Sequence, residues 1–220
     1  MLETSKKNRQ LITALCVLVV LFAILSKQAS STRSDGVAKF HDDNASSISI
    51  DSTFAGEANP KTEFIIINIG QSDNAPKVVS GWQIKSLYNK QVIGPASPLP
   101  LQGMLNEERP VVVTNKAEVI VSSGASPLGV SFRENKCTGL LGEFQSFSPP
   151  LAPACLDCAY RTLSGYPQYN VCVMSRKGDS DFFLNSWRMY LDSQSELWDN
   201  SLDVLRLYDQ EDRLLSTTRY

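Results

Sequence analysis

Asp203-Val204-Leu205-Arg206-Leu207-Tyr208-Asp209-Gln210-Glu211-Asp212-Arg213-Leu214, close to the end of the 220-residue chain, decides the fold. Leu205 and Leu207 alternate with Val204, Arg206 and Tyr208, the period of two that gives a strand one apolar and one mixed face. Asp209-Gln210-Glu211-Asp212 carries turn chemistry, and residues 214–220 return as a last strand. The same period recurs far upstream, where Trp82, Ile84 and Ser86 follow Ser80-Gly81 and alternate with Gln83 and Lys85. These two stretches are expected to be the two ends of one β-sandwich. Trp82, Ile84, Leu205 and Leu207 are its expected core.

Working outward, residues 63–69 hold four isoleucines and Phe64, then Gly70 and the turn cluster Gln71-Ser72-Asp73-Asn74. Dense β-branching bounded by turn residues favours a strand over a helix. Residues 111–114 after Pro110, 117–121 and 187–191 are further expected strands, and 169–175 a short helix. Pro95, Pro98, Pro100 and Gly103 exclude a long helix between the early strands. Short strands separated by Pro, Gly, Asn and Asp turns specify an all-β sandwich. Residues 54–220 are long enough for one such domain core. Residues 144–200 stand out as an insertion before the final hairpin, with Pro149, Pro150, Pro153 and three cysteines, and with no core of its own expected.

The N-terminus has a different grammar. Residues 11–25 are apolar except for Thr13 and Cys16, and Lys6, Lys7 and Arg9 precede them. A helix over 11–26 spans about 24 Å, and snorkelling of Arg9 and Lys27 lets it match a hydrocarbon core of about 30 Å. Lys27 before Ala29 and Ile24 before Ser26 make poor signal-cleavage sites, so an uncleaved signal anchor is preferred over a secreted form. The basic flank places residues 1–10 in the cytoplasm, 11–26 across the lipid bilayer and the rest outside the cell membrane. Residues 27–53, rich in Ser, Asp, Ala and Thr, form a flexible stalk whose end, Ser47-Ile48-Ser49-Ile50-Asp51, could add an edge strand.

The chain carries 21 basic and 23 acidic residues. Setting aside Lys6, Lys7, Arg9, Lys27 and Glu3 leaves 17 basic against 22 acidic after the anchor, so a nucleic-acid partner is not expected. Cys137, Cys155, Cys158 and Cys172 lie within 36 residues. An even number of cysteines in an oxidising compartment points to two disulfides. Sequence alone allows three pairings; Cys137 with Cys155 and Cys158 with Cys172 are favoured because each closes a short local loop. Cys16 is a small apolar residue of the anchor.

The order Glu63-Phe64-Ile65, Asn68-Ile69-Gly70, Ser80-Gly81-Trp82 and Asp203 through Asp209 resembles the lamin-tail domain family. Gly129, Cys137-Thr138-Gly139, Phe147-Ser148-Pro149, Tyr169-Asn170 and residues 187–191 also resemble small membrane-anchored bacterial members of that family. The resemblance implies an immunoglobulin-like β-sandwich, export to the bacterial envelope and no catalytic residues. Two departures stand out: Ile66 replaces a common acidic residue of the first strand, and Asp212 a common turn glycine. Asp tolerates a left-handed backbone, so the hairpin is expected to survive.

Candidate chemistry is sparse. Cys155-Leu156-Asp157-Cys158 has the spacing of thiol-disulfide oxidoreductases, but prolines precede it and no βαβ pattern surrounds it, which favours structural disulfides. A zinc site would need all four thiolates, and the single His41, in His41-Asp42-Asp43-Asn44, belongs to the solvated stalk. With no histidine near a nucleophile and no glycine-rich phosphate loop, nucleophilic and nucleotide chemistry lack their parts. Asp179, Asp181 and Asp199 could serve a carboxylate hydrolase but sit in loop sequence, where solvated acids are usual. Trp82, Trp187 and Trp198 could form a ligand platform if exposed, although their strand patterns favour the core. The expectation is a non-catalytic binding or scaffolding module without metal or cofactor, meeting an envelope protein or glycan.

Overall fold

The computed structural model describes residues 48–70, 75–114, 116–155, 158 and 168–220, all within one compact unit, Asn44–Tyr220. The expected anchor at 11–26, the expected cytoplasmic segment at 1–10, Cys16 and His41 lie outside the described residues. Among the described residues no helix is long and apolar enough to cross a membrane.

One sheet has the order β1 (Ile48–Asp51), β2 (Phe64–Ile69), β7 (Ala117–Ser122), β9 (Phe183–Tyr190), β8 (Phe132–Asn135). A second runs β11 (Leu214–Arg219), β10 (Val204–Tyr208), β4 (Gln83–Lys85), β5 (Lys90–Val92), and a small ribbon joins β3 (Lys77–Val78) to β6 (Val112–Val113). The body is therefore mostly β-sheet with little helix. Strand β1 belongs to this folded body, so the body reaches back into the segment whose composition suggested a stalk. Its register sets Ile48 opposite Ile69 and Ile50 opposite Ile67, and both β1 isoleucines are buried.

Alternation along each strand explains the packing. Ile65, Ile67, Val119, Val121, Trp187 and Met189 of the first sheet share one apolar core with Trp82, Ile84, Leu205 and Leu207 of the second. Trp82 is 4% exposed, and Ile84, Leu205 and Leu207 are fully covered. Each such side chain stabilises the fold by about 1.5 to 3 kcal/mol relative to exposure. The two stretches that opened the sequence reading meet directly, because β10 pairs with β4 at Leu207 and Ile84. Gly81, with φ of 92°, lets the turns touch as well: a Cβ there would lie 2.9 Å from Gln210 Cγ, and Gln210 Nε2 donates to Ser80 O at 2.6 Å. Asp212 does adopt the left-handed backbone, at φ 60°, and accepts from Lys85 Nζ at 3.0 Å.

Strands β7 and β9 are parallel, and a parallel neighbour requires a long crossover. Strand β8 and the disulfide-bearing segment supply it. That segment includes a 3-10 helix, Thr138–Glu143, and α1 (Gln168–Arg176). Contrary to expectation it has its own apolar core, built from Cys137, Leu140, Leu141, Tyr169, Cys172, Val173 and Phe182. These residues are scattered over the sequence and follow no single period, which hid their common destination. Tyr169 docks α1: its hydroxyl donates to Pro100 O at 2.9 Å and accepts from Asn135 Nδ2 at 3.0 Å.

Candidate functional site

On β9, Trp187 and Met189 point into the sandwich, so by alternation Arg188 and Tyr190 face the other way. That outer face is covered rather than solvated. Arg188 is 2% exposed and Glu134, on the neighbouring β8, 4%. Arg188 Nε donates to Glu134 Oε1 at 2.6 Å, its two terminal nitrogens donate to the carbonyls of Pro149 and Pro150, and Ser186 Oγ donates to Glu134 Oε2. An ion pair out of water needs such additional hydrogen bonds to offset its desolvation. The guanidinium thus clamps the proline loop onto the sheet.

Beside the clamp lies a cavity of about 750 Å³. The turn at Pro60 and Lys61, the segment from Gly124 to Pro127, the loop through Phe147 and Pro150, and Tyr190 form its walls. Its lining is mixed, with aromatic and proline surfaces interrupted by the Gln145 amide and several hydroxyls. The Tyr190 hydroxyl and Gln145 Oε1 are buried and make no hydrogen bond among the described residues. Burial pushes the Tyr190 pKa up to about 12, so the hydroxyl keeps its proton at neutral pH and can donate. The Tyr190 ring stacks at 6.3 Å on Phe132, which Phe147 meets edge-on at 6.1 Å. Sequence alternation around Trp187 could have marked Tyr190 as outward-facing, but nothing in the pattern announced a covered outer face.

Glu63, the residue before β2, performs a second buried polar task. Its carboxylate is fully covered and accepts the backbone N–H groups of Leu197 at 2.9 Å and Trp198 at 3.0 Å. Burial raises the Glu63 pKa, opposed by these hydrogen bonds. Between the ordinary glutamate value of about 4.3 and the raised folded value, the folded chain holds a proton that the unfolded chain has released. The stabilisation from Glu63 is complete below the unfolded pKa and is lost as pH rises through the folded one. Glu63→Gln is therefore expected to flatten the dependence of the urea midpoint on pH above about 4.3. An undiminished slope in the variant would remove Glu63 as its source.

The four cysteines converge, though not in the pairing that loop length suggested. The bridges are Cys137–Cys172 and Cys155–Cys158. Docking of α1 brings Cys172 to a Cα separation of 5.9 Å from Cys137, while the Cα atoms of Cys155 and Cys158 stand 5.1 Å apart. The sulfurs of Cys137, Cys158 and Cys172 lie within 4.8 Å of one another. A thiolate, not a disulfide sulfur, ligates metal, so the oxidised cluster is no zinc site as it stands.

The candidate carboxylates are held elsewhere. Asp179 and Asp181 share Lys136 Nζ, at 3.0 and 2.6 Å, and the ammonium beside Asp181 holds its carboxyl below the usual range. Asp199 accepts from the Ser201 N–H and hydroxyl at 2.8 and 2.7 Å. None of the three lines the cavity. All three tryptophans are buried, with exposures of 4%, 6% and 2% for Trp82, Trp187 and Trp198, so they lie in the core that their strand patterns favoured rather than on an exposed platform. No protein-family model matches the chain, and no curated protein matches it.

Proposed function

We propose that this protein is a binding or scaffolding module of the bacterial envelope, anchored through residues 11–26 and displaying a lamin-tail-like, immunoglobulin-like sandwich outside the membrane. The basic flank and apolar run of the N-terminus support the anchoring, and the two disulfides suit an oxidising exterior. The observation that carries the binding role is the cavity beside Tyr190, with aromatic surface and two buried polar atoms still free to pair. Concave, largely apolar sites with a few oriented polar groups are the usual form of ligand pockets. Its occupant on this reading is a segment of an envelope protein or a glycan, held by contact with Phe147 and by a hydrogen bond from Tyr190.

The test uses the full chain in detergent. Ala125 is exposed at the cavity wall, so Ala125→Trp fills the opening without removing a buried side chain. Affinity capture from solubilised envelopes, with protein and glycan identification, is expected to recover a partner with the native chain and to lose it with the variant. Identical captured material from both chains, at equal thermal stability, would sink the proposal.

A further inference from the structure

The Cys137–Cys172 bridge is sealed, with exposures of 0% and 1%. A thiol in solution has no direct approach to either sulfur. Cys155–Cys158 lies against it: Cys158 is 1% exposed and its Sγ is 3.9 Å from Cys137 Sγ, whereas Cys155 is only partly buried at the edge of the same cluster. Cys155 is thus the partly exposed end of a bridge whose other sulfur lies among the buried sulfurs of Cys137 and Cys172. Exchange between a thiolate and a disulfide proceeds by direct attack on sulfur, at a rate governed by access.

We propose that Cys155–Cys158 is a thiol-exchange port for the buried bridge, an activity independent of the binding role above. An external thiolate attacks Cys155 Sγ, the Cys155–Cys158 bond breaks, and Cys158 departs with the electron pair as a thiolate. Cys137 Sγ, part of the inner bridge, lies 3.9 Å from it. Cys158 Sγ attacks Cys137 Sγ, a Cys137–Cys158 bond forms, and Cys172 leaves with the electron pair and takes up a proton. Two disulfides exist before and after, so no oxidant or reductant is consumed. The outcome is an external thiol held on Cys155 and a free Cys172 on α1. The substrate class is an accessible thiol, either a small molecule such as glutathione or a cysteine of another protein.

Reduced glutathione at pH 8 is the probe. The oxidised full chain is exposed to it, quenched with acid, alkylated after denaturation and mapped by peptide mass. The expected products are glutathione on Cys155, a Cys137–Cys158 cross-link and alkylated Cys172. Glutathione on Cys155 with alkylated Cys158 and an intact Cys137–Cys172 bridge would overturn the relay, as would the absence of any adduct. In Cys155→Ser/Cys158→Ser the inner bridge should open about tenfold or more slowly than in the native chain, since the neighbouring attacker Cys158 is gone. Equal opening rates would refute the port, and if the double variant fails to fold the native-chain map alone decides.

Discussion

Arg188→Met is expected to lower the unfolding free energy by about 3 to 5 kcal/mol, the usual cost of breaking a buried ion pair by removing one partner. Among the described residues Glu134 would remain 4% exposed with Ser186 Oγ as its remaining donor, and the carbonyls of Pro149 and Pro150 would lose the groups that bind them. Methionine keeps much of the volume, so the loss is electrostatic and hydrogen-bonding rather than a cavity. Adding Glu134→Met should recover part of it, because two apolar groups can replace a buried pair at little cost. Recovery stays incomplete by roughly 1 kcal/mol, since the carbonyl of the half-buried Pro149 is left without its donor. Urea unfolding of the native chain and the two variants reads this directly. A loss below about 1 kcal/mol in the single variant would show a solvated pair of the kind that contributes little.

Gly139→Ala is expected to cost about 3 kcal/mol, at the upper end of overpacking, because the obstacle is backbone. A Cβ at Gly139 would press on Ala154 N and stand 2.6 Å from Ala152 O and 2.7 Å from Pro153 C. No rotamer change relieves such contacts, so the strand of chain leading into Cys155 must move. The Cys155 N–H, which donates to Lys136 O at 3.0 Å, lies at the end of that displaced segment. Thermal unfolding should shift down by roughly 6 to 12 °C for a body of this size, and hydrogen exchange at Cys155 should accelerate. Gly142, in the same 3-10 helix, has nothing within 4 Å of a Cβ and serves as the control. If both alanine variants melted together, the close approach at Gly139 would carry no energetic weight.

These two residues mark where reading the sequence stopped. Arg188 sits in the alternation Trp187-Arg188-Met189 exactly where a solvated side chain is normally found, and a period of two says which face it takes but not what covers that face. Glu134 is 54 positions away and Pro149 is 39. Gly139 reads as an ordinary turn glycine, because the backbone it must accommodate arrives from residues 152–154. The cysteine pairing failed for a similar reason. Cys137 with Cys155 and Cys158 with Cys172 would each close a short loop, yet the helix carrying Cys172 is swung into place by Tyr169, through contacts to Asn135 and Pro100 that no spacing reveals.

The chain's own letters settled the local matters: the β-branched strands at 64–69 and 117–122, the alternating strand at 204–208, the left-handed turn at Asp212, the helix carrying Cys172, and the burial of Trp82, Ile84, Leu205 and Leu207. Each follows from side-chain period or backbone sterics within a few residues. The parallel docking of β9 on β7, the second apolar core, the cavity beside Tyr190 and the meeting of four sulfurs were decided only by tertiary structure. They depend on which distant segments share one volume, and that choice is made by the summed burial and hydrogen bonding of the whole body rather than by any stretch of it.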